Sequence, residues 1–168
     1  AAFGLFVGYQ RYQGEVTSQL IIKAEQKGDN AGIRKMAKNS LTTWYNTTPL
    51  GSPLKLYEGY ANLVLNNNKE GVENLAEALV ISPYNQRILN NIGVGELRLD
   101  NTEGAEAYFL QAVAIAPKHS DSNHNLAYMY FLQERYQEAY NYEIKLPDDD
   151  DRKKKFLPQI EAKLQVLN

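Results

Sequence analysis

Apolar residues between Gln86 and His119 recur at helical spacing. Leu89, Ile92, Gly93, Glu96 and Leu97 fall at i, i+3, i+4, i+7 and i+8, one stripe of a helix with about 3.6 residues per turn. Asp100-Asn101-Thr102 interrupts the stripe with side chains that favour turns. A second stripe follows at Ala105, Phe109, Ala112 and Val113, and Pro117 closes it, because proline removes a backbone donor and disfavours helix just before it. The segment therefore predicts two antiparallel helices. Gly93 and Ala105 are expected to face each other across the hairpin, where only small side chains let two helix backbones approach.

The pattern extends both ways. Upstream, Val16 to Lys27 predicts a helix with Leu20, Ile21 and Ala24 on one face. Gly28-Asp29-Asn30 is a turn, and Ala31 to Trp44 predicts a second helix carrying Ile33, Met36, Ala37, Leu41 and Trp44. Downstream, Pro147 and four aspartates, Asp148 to Asp151, precede an apolar stripe at Phe156, Leu157, Ile160, Leu164 and Leu167. Acidic residues at that point are expected to cap a final helix and to favour its positive N-terminal end.

The small residues repeat at a fixed offset. Gly59, Gly93 and Ala127 are 34 apart, as are Gly71, Ala105 and Ala139. Ala78 and Ala112, Ile81 and Ile115, and Pro83 and Pro117 keep the same spacing. A helix-turn-helix period of about 34 residues is a signature of the tetratricopeptide repeat, and the chain resembles that family from Ser52 to Leu146. The resemblance implies an all-α, right-handed α-solenoid of antiparallel helix pairs with a C-terminal capping helix. The expected layout is N-terminal helices with a degenerate hairpin over 1–51, repeats at 52–85, 86–119 and 120–147, and a cap over 148–168. Some positions depart from the family's pattern. Asn62 and Glu96 stand where an aromatic residue is expected, and only Tyr130 conforms. Glu143 replaces the large apolar residue found at Leu75 and Phe109, and Glu58 replaces Ile92 and Leu126. If Gly28 aligns with Asn66, the first hairpin is offset by 38 rather than 34.

Residues 1–10 carry no charge, and Arg11 and Tyr12 follow at once. About 20 apolar residues are needed to cross a bilayer, so this run is too short to span one by itself. It is expected either to pack on the solenoid as the apolar start of a helix, to end a membrane helix that begins before Ala1, or to remain a solvated terminus.

Composition narrows the chemistry. The net charge of −2 predicts no nucleic-acid partner. The absence of cysteine excludes disulfides, thiolate metal sites and cysteine nucleophiles. The two histidines, His119 and His124, lie on opposite sides of a predicted helix start, so no metal site and no cofactor are expected. No glycine-rich phosphate loop or Ser/His/Asp set is present, and the chain is not expected to be an enzyme.

By the family resemblance, the first helix of each pair lines a concave groove. Positions off the core stripe are Arg87, Asn90, Asn91, Val94 and Arg98. One repeat on they become Asp121, His124, Asn125, Tyr128 and Leu132, and one repeat back they include Tyr57 and Tyr60. Peptide-binding members of the family often carry asparagine in the column of Asn91 and Asn125. An amide both donates and accepts, which suits an extended backbone, and Arg87 is placed to hold an acidic group. The expected ligand groove is therefore Tyr57, Tyr60, Arg87, Asn90, Asn91, Arg98, His124, Asn125 and Tyr128, and the expected partner is a protein or peptide segment. Pro53 and Asp121 occupy the column of Arg87, so the fully basic clamp for C-terminal carboxylates is not expected. A second reading is that the chain forms the soluble periplasmic tail of a multi-span membrane protein resembling O-antigen ligases or polymerases. In that case it would be attached through residues preceding Ala1 and would lack the catalytic groups. The bacterial periplasmic face of the inner membrane is then the expected location, with the cytoplasm as the alternative.

Overall fold

The computed structural model describes residues 2–40, 46–48 and 51–166. Among them are nine α-helices and no strand, apart from an isolated bridge between Thr47 and Pro53. The helices are α1 (Ala2–Lys27), α2 (Asn30–Ser40), α3 (Leu54–Val64), α4 (Asn68–Ile81), α5 (Gln86–Arg98), α6 (Thr102–Ile115), α7 (Ser120–Leu132), α8 (Tyr136–Glu143) and α9 (Asp151–Val166). This is the all-α solenoid of helix pairs with a final capping helix that the periodicity implies. The chain divides into two compact units, residues 1–84 and 85–168.

The inner turns follow one local rule. Asn66, Asp100 and Glu134, spaced by 34, all adopt positive φ (62°, 61° and 61°), and Gly28 does so at 70°. Such backbone suits glycine and is tolerated by asparagine and aspartate. Gly28 thus shares its turn conformation with Asn66. After two of these turns the next residue caps the following helix, whereas Asn67 and Arg135 make no side-chain cap bond. Asp29 Oδ1 accepts from Gly32 N at 2.9 Å, and Asn101 Oδ1 accepts from Gly104 N at 3.1 Å.

In the unit over 1–84, Ile21, Ala24, Ile33, Ala37, Leu54, Tyr57 and Ala61 form one buried cluster. The α3–α4 pair closes through glycine. A Cβ on Gly59 would lie 2.9 Å from the Gly71 carbonyl oxygen, and one on Gly71 would lie 3.1 Å from that of Gly59. The two backbones are in direct contact there, which no larger residue permits. The apolar run at the start behaves differently from the packing expectation. It is helical, extending α1 back to Ala2, yet Phe3 (67%), Leu5 (76%), Phe6 (52%) and Tyr9 (60%) are exposed. Leu20 also turns outward, although Ile21 and Ala24 are buried. The second helix is described over Asn30–Ser40, and Leu41 and Trp44 lie outside the described residues.

In the unit over 85–168, Ala105, Phe109, Leu126, Ala127, Met129, Tyr130, Ala139, Phe156 and Ile160 form the core. Gly93 meets a different neighbour from the one expected. The nearest atoms to a Cβ placed there belong to the Phe109 ring, not to Ala105. The Tyr130 hydroxyl donates to Glu106 Oε1 at 2.7 Å, and the Arg135 guanidinium lies 4.1 Å from the Tyr130 ring centre. Burial, then that hydrogen bond, pushes the Tyr130 phenol well above its ordinary range. The cap expectation holds: Asp150 accepts from Arg152 N at 2.9 Å where α9 begins, and Phe156 and Ile160 are buried. Leu167 lies outside the described residues.

Candidate functional site

The expected groove residues divide between the two units, and each unit is built separately. In residues 1–84, Tyr57 is 7% exposed and packs with Leu54 and Ala61 against Ile21 and Ile33. It is a core residue, which corrects its expected role as surface contact. Tyr60, on the adjoining face of α3, is half-buried. The polar departure at Glu58 finds its reason here. Its side chain is 2% exposed, and Lys55 Nζ stands 3.2 Å from Oε2. Lys55 Nζ also donates to Asn74 Oδ1 at 2.7 Å and lies 3.4 Å from Glu77. A buried carboxylate is tolerable only with such partners.

In residues 85–168, α5 and α7 hold the remaining positions. Asn85 caps α5 by accepting from Arg87 N and Ile88 N at 3.0 and 3.3 Å. His119 Nδ1 plays that part for α7, accepting from Ser122 N. Asn123, fully buried, donates to the carbonyls of Pro117 and His119 at 3.0 and 2.9 Å and ties the loop to the helix. These contacts fix the register of α7 against the preceding turn.

The asparagines are brought together, but not as spacing alone suggests. Asn90 is 6% exposed, and its Oδ1 accepts from Asn125 Nδ2 at 3.0 Å. Asn90 is therefore a strut between α5 and α7 rather than a free contact. Asn91 is half-buried, and its Nδ2 has no acceptor. Arg87 is half-buried, Arg98 is exposed, and Tyr128 is 46% exposed with its ring 5.9 Å from that of Phe156.

His124 is committed inward. Its Nδ1 lies 3.0 Å from Oε2 of Glu143, a carboxylate with no exposure, and its ring meets Phe156 edge-on at 5.6 Å. This corrects the reading of His124 as a groove contact and explains why Glu143 replaces an apolar residue. The sequence signal was present: each buried carboxylate that breaks the apolar column has a basic residue in reach, Lys55 for Glu58 and His124 for Glu143. Asp121, in the column of Arg87, bonds Arg152 Nη1 at 2.7 Å. The same guanidinium holds the Asp150 carboxyl down at about 2. Among the described residues no group of three or more His, Cys, Asp or Glu is placed to hold a metal.

The exposed face that results is an amide and guanidinium surface with one aromatic ring. It both donates and accepts hydrogen bonds.

Residues 108–141 match a family model described as tetratricopeptide repeat. No curated protein matches the chain by sequence. Several solved structures share its fold. A tetratricopeptide repeat protein from Parabacteroides merdae is 18% identical, with a TM-score of 0.73 over 92% of this chain and 61% of that one. The Sgt2 domain from Aspergillus fumigatus is 22% identical, with a TM-score of 0.66 over 73% and 83% of the respective chains. The first such domain of Spaghetti (RPAP3), solved with the HSP90 peptide SRMEEVD, is 16% identical, with a TM-score of 0.64 over 71% and 98%.

Proposed function

From the premise that this chain has the tetratricopeptide-repeat fold, we propose that it is a non-catalytic scaffold that binds an extended protein or peptide segment across α5 and α7. The observation that carries the reading is the Asn91–Asn125 column, with Asn91 Nδ2 lacking an acceptor. A buried donor without a partner costs about 1–3 kcal/mol, and rotation of the half-buried Asn91 side chain toward the surface would let a peptide carbonyl satisfy it. Asn125 is held in place by Asn90. Arg87 supplies charge for an acidic side chain, and Tyr128 supplies contact area at low entropic cost. A fold relative solved with a bound peptide supports the ligand class, while Asp121, bonded to Arg152, argues against a wholly basic clamp.

The test uses a labelled peptide selected from a displayed random library, titrated by fluorescence polarisation. Two lost hydrogen bonds of about 0.5–1.5 kcal/mol each predict that Asn91→Ala with Asn125→Ala weakens binding roughly tenfold or more. Asn91→Ala alone leaves the Asn90–Asn125 strut intact and should weaken binding by about half that free energy. Unchanged affinity in both variants, with unchanged melting temperatures, would move the site to the opposite face or to α9.

A further inference from the structure

The start of α1 carries apolar side chains over more than half of its circumference. Phe3, Leu5, Phe6, Val7 and Tyr9 step round the helix at about 100° per residue, and the remaining side holds Gly4 and Gly8. No atom lies within 4 Å of a Cβ built on either glycine. A helix packed on one partner typically shows an apolar stripe of about 100°, and the arc here is about twice that wide, with no side chain on its remaining side to keep lipid away.

The flanking residues carry the next part of the argument. Gln10 and Gln13 of α1 share a cleft with Asn39 and Ser40 of α2, whereas Phe3, Leu5, Phe6 and Tyr9, nearer the start of α1, are exposed. Tyr9 and Tyr12, both exposed, bracket Arg11. Aromatic and basic residues in that order are what a helix places at a membrane–water interface. Residues 1–51 carry six Lys or Arg against three Asp or Glu. Of these, Lys35 and Lys38 are exposed on α2 near the same end.

We propose that residues 3–9 of α1 insert into a lipid bilayer, with Tyr9 and Tyr12 at its surface and Arg11, Lys35 and Lys38 facing anionic headgroups. Seven helical residues rise about 10 Å, roughly a third of the hydrocarbon core. No helix among the described residues is long and apolar enough to cross a membrane. Lys and Arg near an anionic surface add to the apolar term and are screened by salt. The proposal rests on residues 1–40 and is independent of the peptide-binding reading.

Flotation of the chain with vesicles of phosphatidylcholine alone, and with one quarter phosphatidylglycerol, tests it. Binding is expected to both, several-fold stronger to the anionic vesicles, with that increment lost in 0.5 M salt. Phe3→Ser with Leu5→Ser and Phe6→Ser should lower partitioning at least tenfold to both compositions without changing the thermal midpoint. Lys35→Glu with Lys38→Glu should remove only the anionic increment. No flotation, or equal flotation of the serine variant, overturns the proposal. So does a wild-type dimer in lipid-free solution that the serine variant disperses, because the apolar turns would then belong to a second copy.

Discussion

Replacing Gly93 by alanine isolates the contact that closes the α5–α6 pair. The added Cβ would stand 2.6 Å from both Cδ1 and Cε1 of Phe109 and 3.0 Å from its Cζ. Carbon atoms in contact prefer about 3.5–4.0 Å, so about 1 Å of overlap must be relieved. Phe109 has no solvent exposure, and a ring packed on all sides in a dense core cannot withdraw freely. Overpacking of this kind costs about 1–3 kcal/mol. Alanine recovers about 1 kcal/mol over glycine in helix propensity. Two close ring atoms place the cost near its upper end, so a net loss of about 1–2 kcal/mol is expected. For a chain of this size each kcal/mol moves the midpoint by about 2–4 °C, and thermal melts followed by circular dichroism should fall by about 2–8 °C. Gly8→Ala is the control, since nothing lies within 4 Å of its Cβ, and it should leave the midpoint unchanged or raise it. Combining Gly93→Ala with Phe109→Leu should cost less than the sum of the two single changes, because the smaller side chain makes room. An unchanged or higher midpoint for Gly93→Ala would refute the close-contact argument.

Two further outcomes follow from the ion pairs Lys55–Glu58 and Asp150–Arg152. Lys55→Met leaves Glu58 buried without its cation and should destabilise the chain by about 3 kcal/mol, whereas Lys55→Met with Glu58→Leu should recover most of that in denaturant melts; equal losses in the two variants would remove the pairing argument. The Asp150 carboxyl, lowered from 3.8 to about 2 by Arg152, contributes stability that is present above pH about 4 and lost as pH falls through about 2. Arg152→Gln should flatten that limb of the pH–stability curve, and a curve identical to wild type would show that the pair does not couple to folding.

What the sequence determined by itself was the repeat. Helical spacing, small residues at an offset of 34, and turn residues at Asn66 and Asp100 were enough for helix pairs, because those features act through local backbone preference and close approach of neighbouring segments. The same logic placed a cap within Asp148 to Asp151, and the structure shows Asp150 making it. It did not decide which side chains remain free at the surface. Tyr57 and Asn90 sit off the main stripe in sequence, yet packing against α1 and α2 buries the first and the strut to Asn125 occupies the second. Whether His124 faces outward depended on Glu143, 19 residues away. Only the tertiary structure brings that carboxylate beneath it, and burial then makes pairing obligatory. The apolar start of α1 shows the converse. Its composition favours burial, yet Phe3, Leu5, Phe6 and Tyr9 stand exposed in the described fold.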